Sequence, residues 1–124
     1  RKKICLRYHE VFKASGLNLI LPEFQNKNIE SSYHLYMLRI TSFSEEQRDH
    51  VIRLVAEQGI SLNVHFQPLP LLSFYSKLGF EMAHYPNAWE LYANEISLPV
   101  YFDLTDEDAD RVAKSIVEAI KKTC

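Results

Sequence analysis

The stretch from Thr105 to Lys122 constrains the fold most. Thr105 stands where a helix N-cap is wanted, Asp106, Glu107 and Asp108 fill the first turn, and Lys121 and Lys122 sit near the end. These signs match the two poles of a helix dipole. Between them, Val112, Ala113, Ile116, Val117 and Ile120 fall on one stripe. A helix with a single apolar stripe has to lie against another layer.

A second helix is equally well marked. In "SFSEEQRDHVIRLVAEQG", Ser44 caps, Glu45 and Glu46 occupy the first turn, and Gln47 completes a capping box. Val51, Leu54 and Val55 form its stripe, and Gly59 ends it. A third begins the chain, with Ile4, Tyr8, Val11, Phe12 and Ser15 at helical spacing and Gly16 as its terminator. Its start carries Arg1, Lys2 and Lys3, where the dipole favours acids, and no N-cap residue precedes them. Such an opening is expected of a helix whose beginning lies upstream.

Strands are read at Tyr33–Ile40, apolar on both faces, and at Ile60–Phe66. In the latter, Ile60, Leu62, Val64 and Phe66 point inward, and Ser61, Asn63 and His65 outward. A third strand, Ile96–Val100, is assigned to a sheet edge because Pro99 lacks a ladder donor. Short helices are expected around Leu71–Lys77 and from Pro86 to about Asn94. The order predicts an α/β domain of the two-layer α+β kind, with a small three-stranded sheet packed by helices.

Composition narrows the function. The 124 residues suit one domain, and 14 basic against 16 acidic residues leave no basic face for a phosphate backbone. Nucleic acid is not an expected partner. No apolar run approaches a membrane span, and the basic start leads into an amphipathic stretch, so no signal peptide is read there. With only Cys5 and Cys124, a dense disulfide framework is excluded, and a single bridge stays open. A reducing cytoplasm is the expected compartment. Three glycines are too few for a phosphate-cradling loop, and the five histidines show no metal-ligand spacing.

The candidate site is "NVHFQPLP", Asn63 to Pro70. His65 ends the polar side of a strand beside a proline-broken turn, where an imidazole can hydrogen-bond a sugar hydroxyl or a phosphate. Gln67 offers an amide on the same side, and Phe66 is expected to pack inward. From the residues alone, a structural and a functional role for His65 stay equally open. His34, inside an apolar strand, reads as a partly buried histidine bonded to a carbonyl. Cys5 reads as an inert thiol. Asp103, Asp106, Glu107 and Asp108 read as helix N-terminal charge.

"YHLYMLRI", "EQGI", "NVHFQPLP", "PNAWELYANEISLPVY" and "LTDEDADRVAKSIVEAI" occur in that order. Together they resemble the C-terminal small domain of the DegT/DnrJ/StrS-type sugar aminotransferases, which depend on pyridoxal 5'-phosphate (PLP). The resemblance covers nearly the whole chain. It implies that residues 1–16 end the helix linking two domains, and that 17–124 form the small domain of a fold-type-I enzyme. It further implies a homodimer that moves an amino group from glutamate to a nucleotide-linked keto-sugar, with PLP held by a lysine of a large domain absent here. No residue of this chain is then catalytic or cofactor-binding, no metal is involved, and the chain alone is expected to be inactive. His65, Phe66, Gln67 and Pro68 become the sugar-binding edge, with His34 and Arg39 as secondary candidates. Many members carry a histidine where this chain has Pro70. The competing readings are a stand-alone metabolite-binding or regulatory domain, and an interaction domain whose apolar faces a partner covers. For the latter, Tyr33, Tyr36 and Phe74 are the expected exposed residues.

Overall fold

The computed structural model describes residues 1–124. The elements are α1 (Lys2–Ala14), β1 (Leu19–Ile20), β2 (Tyr36–Ile40), α2 (Glu45–Ala56), α3 (Ser73–Lys77), α4 (Pro86–Ala93), β3 (Glu95–Leu98) and α5 (Asp106–Thr123). One-turn 3₁₀ helices at Leu69–Leu71 and Met82–His84 precede α3 and α4. The sheet is antiparallel, in the order β1-β2-β3.

Alternation along β2 and β3 divides the sheet into two unlike faces. Tyr36, Leu38, Ile40, Ile96 and Leu98 enter the core. There they meet Ile4, Tyr8 and Phe12 of α1, Val51 and Val55 of α2, and the Val112, Ala113, Ile116 and Ile120 stripe of α5. The opposite face carries Met37 and Arg39, with Ser97, Glu95 and Ile20 as their cross-strand partners. On that face Met37 and Ile20 are exposed, whereas Ser97 and Glu95 are buried and Arg39 meets Glu90 of α4. The result is the expected two-layer α+β architecture with three strands.

The start signals work as read. The Ser44 hydroxyl accepts from the Gln47 N–H while the Gln47 side chain accepts from the Ser44 N–H, and Thr105 caps α5 through the Asp108 N–H. Gly16 follows α1 at φ 71°, a conformation that costs glycine little. Two of the three basic residues that open α1 are paired with acids elsewhere in the fold. Lys2 meets Glu30, Lys3 meets Asp106, and Arg7 makes a fork to both Asp110 oxygens. Arg7, the larger influence, holds the Asp110 carboxyl below the usual range. No helix is long and apolar enough to cross a membrane.

The strands differ from expectation in three places. The predicted Tyr33–Ile40 strand begins only at Tyr36, because Tyr33 takes φ 53° and breaks the extended run. Its ring stacks on Phe24 at 4.9 Å. Tyr33 and Tyr36 are therefore buried, contrary to their expected exposure, whereas Phe74 is exposed as expected. The predicted Ile60–Phe66 strand is reduced to one bridge, Asn63 with Ser97, and the third strand is instead the two-residue β1. Phe66 does not pack inward; it is 74% exposed. β3 lies at an edge of the sheet as expected, but it runs Glu95–Leu98 rather than Ile96–Val100 and ends before Pro99.

Both cysteines are free. Cys5 is fully buried, and burial pushes its thiol up to about 11, which makes it the unreactive group its surroundings imply.

Tyr8 ties the helix layer to the end of β3. Its buried ring packs edge-on to Tyr36 at 5.3 Å, and its hydroxyl donates to the Pro99 carbonyl at 2.9 Å. Tyr8→Phe is expected to lower stability by about 1 kcal/mol, with the midpoint of urea unfolding as the check. An unchanged midpoint would show that the bond contributes nothing net.

Candidate functional site

The site is built where the chain returns beside β3. Asn63 and Ser97 exchange both backbone hydrogen bonds, at 3.1 and 2.8 Å. That pairing covers an otherwise open edge, and all four β3 residues are buried although β3 is the outermost strand. Two residues later the pairing stops. The His65 N–H donates at 2.9 Å to Oε2 of the Glu95 side chain. The Ser97 hydroxyl donates to the other oxygen, Oε1. Beyond His65 the chain leaves the sheet, with Phe66 and Gln67 exposed.

The two aromatic rings of the segment meet edge-on, His65 against Phe66 with centroids 4.6 Å apart. Nδ1 of His65 is buried and has no partner. Next to the segment lies an open apolar cavity of about 290 Å³, lined by Pro68, Leu69, Pro70, Tyr75, Phe80, Tyr85 and Ala88. Exposed Leu69, Phe74, Leu78, Phe80 and Leu91 continue this apolar surface along the same stretch of chain.

Two buried charges underlie the segment. Glu95 is only 3% exposed; burial raises its carboxyl above the ordinary 4.5, against the opposing pull of Ser97, the His65 N–H, and the charges of His65 and Arg48. Arg48 is 1% exposed. It donates to Asp49 at 2.6 Å and to the Tyr92 carbonyl at 3.0 Å, and lies over the Tyr92 ring at 4.8 Å. A longer contact of 3.5 Å reaches the Glu95 carbonyl. Arg48 thus pins α2 to the turn between α4 and β3, from which Glu95 projects.

The secondary candidates separate. Arg39 is the cross-strand partner of Glu95, and so stands across β3 from the His65 segment. Its guanidinium is engaged by the Asn94 side chain at 3.2 Å and the Glu90 carboxylate at 3.1 Å. His34 lies outside the strand and is exposed, with Nδ1 2.9 Å from the Arg1 guanidinium. It is neither partly buried nor bonded to a carbonyl, because the turn at Tyr33 lifts it out of the sheet. Arg39 is thus held on the far side of β3 by Asn94 and Glu90, and His34 lies beside Arg1 at the start of α1.

Glu95, Ser97 and Arg48 escaped the sequence reading, though signals were present. Arg48 stands three and seven residues before Val51 and Val55, on the same helix face. Glu95 is a lone acid directly before the apolar alternation of "ISLPV".

All eight lysines are exposed, and none stands beside the His65 segment in a buried setting. No group of three or more metal-ligating side chains comes together.

Comparison with known proteins now adds the context. The model of the DegT/DnrJ/EryC1/StrS aminotransferase family matches residues 1–117. The Bacillus subtilis spore coat polysaccharide biosynthesis protein SpsC is 31% identical over 98% of this chain, which spans 31% of that protein. A Campylobacter jejuni UDP-4-amino-4,6-dideoxy-N-acetyl-β-L-altrosamine transaminase is 32% identical over 75% of the chain and 25% of its own length. Among solved structures, a Streptococcus pneumoniae protein named as a sugar aminotransferase, in its PLP form, superimposes with a TM-score of 0.93 at 37% identity. That match covers 99% of this chain and 31% of the other. The chain belongs to the DegT/DnrJ/EryC1/StrS aminotransferase family, and spans about a third of the length of these relatives.

A raised carboxyl gives stability that is present below its unfolded value and is lost as pH rises through its folded value. The stability of the natural chain relative to Glu95→Gln is therefore expected to fall as pH climbs above about 4.5. Urea unfolding of both across the acid-to-neutral range checks this, and parallel curves would contradict it.

Proposed function

We propose that this family member is the C-terminal domain of a PLP-dependent aminotransferase acting on a nucleotide-linked keto-sugar. In that reading, residues 17–124 form the small domain, and residues 1–16 end the helix that joins it to a large domain. The nitrogen leaves glutamate, which becomes 2-oxoglutarate, and replaces the keto oxygen of the sugar. PLP, held by a lysine outside this chain, supplies the chemistry that carries the amino group. The chain by itself is inactive, since none of its residues suits the cofactor.

One observation carries the reading. The segment His65, Phe66, Gln67 leaves the β3 edge with a half-buried imidazole beside an exposed aromatic face and an exposed amide. An imidazole and an amide are suited to sugar hydroxyls, and an aromatic face to the apolar side of a sugar ring. The relatives named as sugar-nucleotide transaminases support the substrate class. Arg39, already engaged by Asn94 and Glu90, shapes the neighbouring surface, and His34 lies away from it.

The exposed Met37 and Ile20 of the sheet and the apolar stretch from Phe66 to Leu91 fit a domain that meets other protein. Covering by the large domain and by the second subunit of a homodimer accounts for them. A cytoplasmic setting suits such an enzyme, since sugar nucleotides are made there.

In the full-length protein, His65→Ala is expected to lower kcat/KM for the sugar nucleotide about tenfold or more, the loss of one hydrogen bond to bound substrate. PLP binding, read from visible absorption, is expected to stay unchanged. Unaltered sugar kinetics would remove His65 from the site.

A further inference from the structure

One buried side chain, Glu95, meets the chain at the point where it departs from the sheet. Asn63 and Ser97 form a hydrogen-bonded antiparallel pair, so His65 and Glu95 would be the next such pair along the same ladder. In that arrangement the His65 N–H would donate to the Glu95 carbonyl. It donates instead to the Glu95 carboxylate, at 2.9 Å, and the Glu95 carbonyl is met by Arg48. A side-chain acceptor has taken the place of the backbone acceptor.

That exchange has a geometric consequence. With the carboxylate as acceptor, the His65 N–H is satisfied without a backbone bond to β3. The carboxylate is itself fixed, since the Ser97 hydroxyl holds its other oxygen and the side chain is almost wholly buried. Without an acceptor at this position, the His65 N–H would be left unpaired, or the segment would shift toward the sheet to recover a backbone bond. Either change would move the imidazole, Phe66 and Gln67.

We propose that Glu95 is the positioning residue of the sugar-binding segment: by accepting from the His65 N–H it sets where the imidazole Nε2, Phe66 and Gln67 stand. Glu95 acts through His65 and touches no substrate. The proposal rests on the aminotransferase reading for the identity of the ligand, but not for the mechanical role.

Two variants of similar volume separate acceptor from charge. Glu95→Gln keeps a carbonyl for the His65 N–H, and its amide can donate to the Ser97 hydroxyl, which turns to accept. Glu95→Leu fills the space and offers no acceptor. In the full-length protein, amide hydrogen exchange over 63–67 is expected to rise about tenfold or more in the Leu variant, with exchange in α5 unchanged. The Gln variant should exchange like the natural protein. With UDP-4-amino-4,6-dideoxy-N-acetyl-β-L-altrosamine as amino donor, the KM of the Leu variant should rise about tenfold while the half-reaction with glutamate stays near its natural rate. The Gln variant should restore both.

Unchanged exchange over 63–67 in a folded Leu variant would overturn the proposal. So would equal losses in both half-reactions, which would mark Glu95 as general scaffold. Should the Leu variant fail to fold, Glu95→Asp, which draws the acceptor back by one methylene, decides by the same readouts. A full-length protein that binds no PLP, or does not use this sugar nucleotide, would count against the functional reading or this choice of sugar. The exchange result would still decide whether Glu95 holds the segment.

Discussion

The backbone pairing of Asn63 with Ser97 is the constraint from which the site follows. It brings the chain back along β3 and covers the only edge strand that carries buried polar side chains. It also places His65 opposite Glu95. Remove it, and the edge of β3, the buried carboxylate and the departing segment lose their mutual arrangement. The pairing in turn needs β3 held rigidly from behind. Ile96 and Leu98 in the core, the Tyr8 bond to Pro99 and the Arg48 anchor at the Tyr92 carbonyl supply that support.

Much of the helix layer was legible in the sequence because helices declare themselves locally. The Ser44 capping box, the Thr105 cap and the α5 stripe each draw on residues within a few positions, and each appears in the structure. Strands declare themselves less well, because a strand exists only if a partner accepts it. Residues 60–66 alternate cleanly, yet only Asn63 pairs; the next acceptor is a side chain, which no periodicity reveals. Leu19–Ile20 has almost no local signal and becomes a strand because Ile40 and Arg39 lie beside it. The turn at Tyr33 is likewise a tertiary effect, fixed by stacking on Phe24.

The candidate site was legible in part for the same reason. His65, Phe66 and Gln67 stand out as a polar and aromatic group at a proline-broken turn, and the ordered resemblance of the chain to one family named them as a unit. The direction of Phe66 was misread because inward packing was inferred from an alternation that stops two residues earlier. The buried pair Glu95 and Arg48 was not read at all. A charge inside an apolar pattern looks like an interruption until its partners are known, and those partners lie 30 and 47 residues away. Family membership and structure thus supply different things. The first supports the proposed substrate class, and the second shows what holds the backbone of the segment, the Glu95 carboxylate.

The most direct measurement is on the complete natural reading frame, expressed intact. Its visible absorption is recorded before and after borohydride, and the reduced cofactor is mapped by peptide mass. The account predicts an absorption band that borohydride bleaches, with PLP fixed to a lysine outside the 124 residues described here. A protein with no such band, or with the cofactor on one of the exposed lysines of this chain, would contradict it.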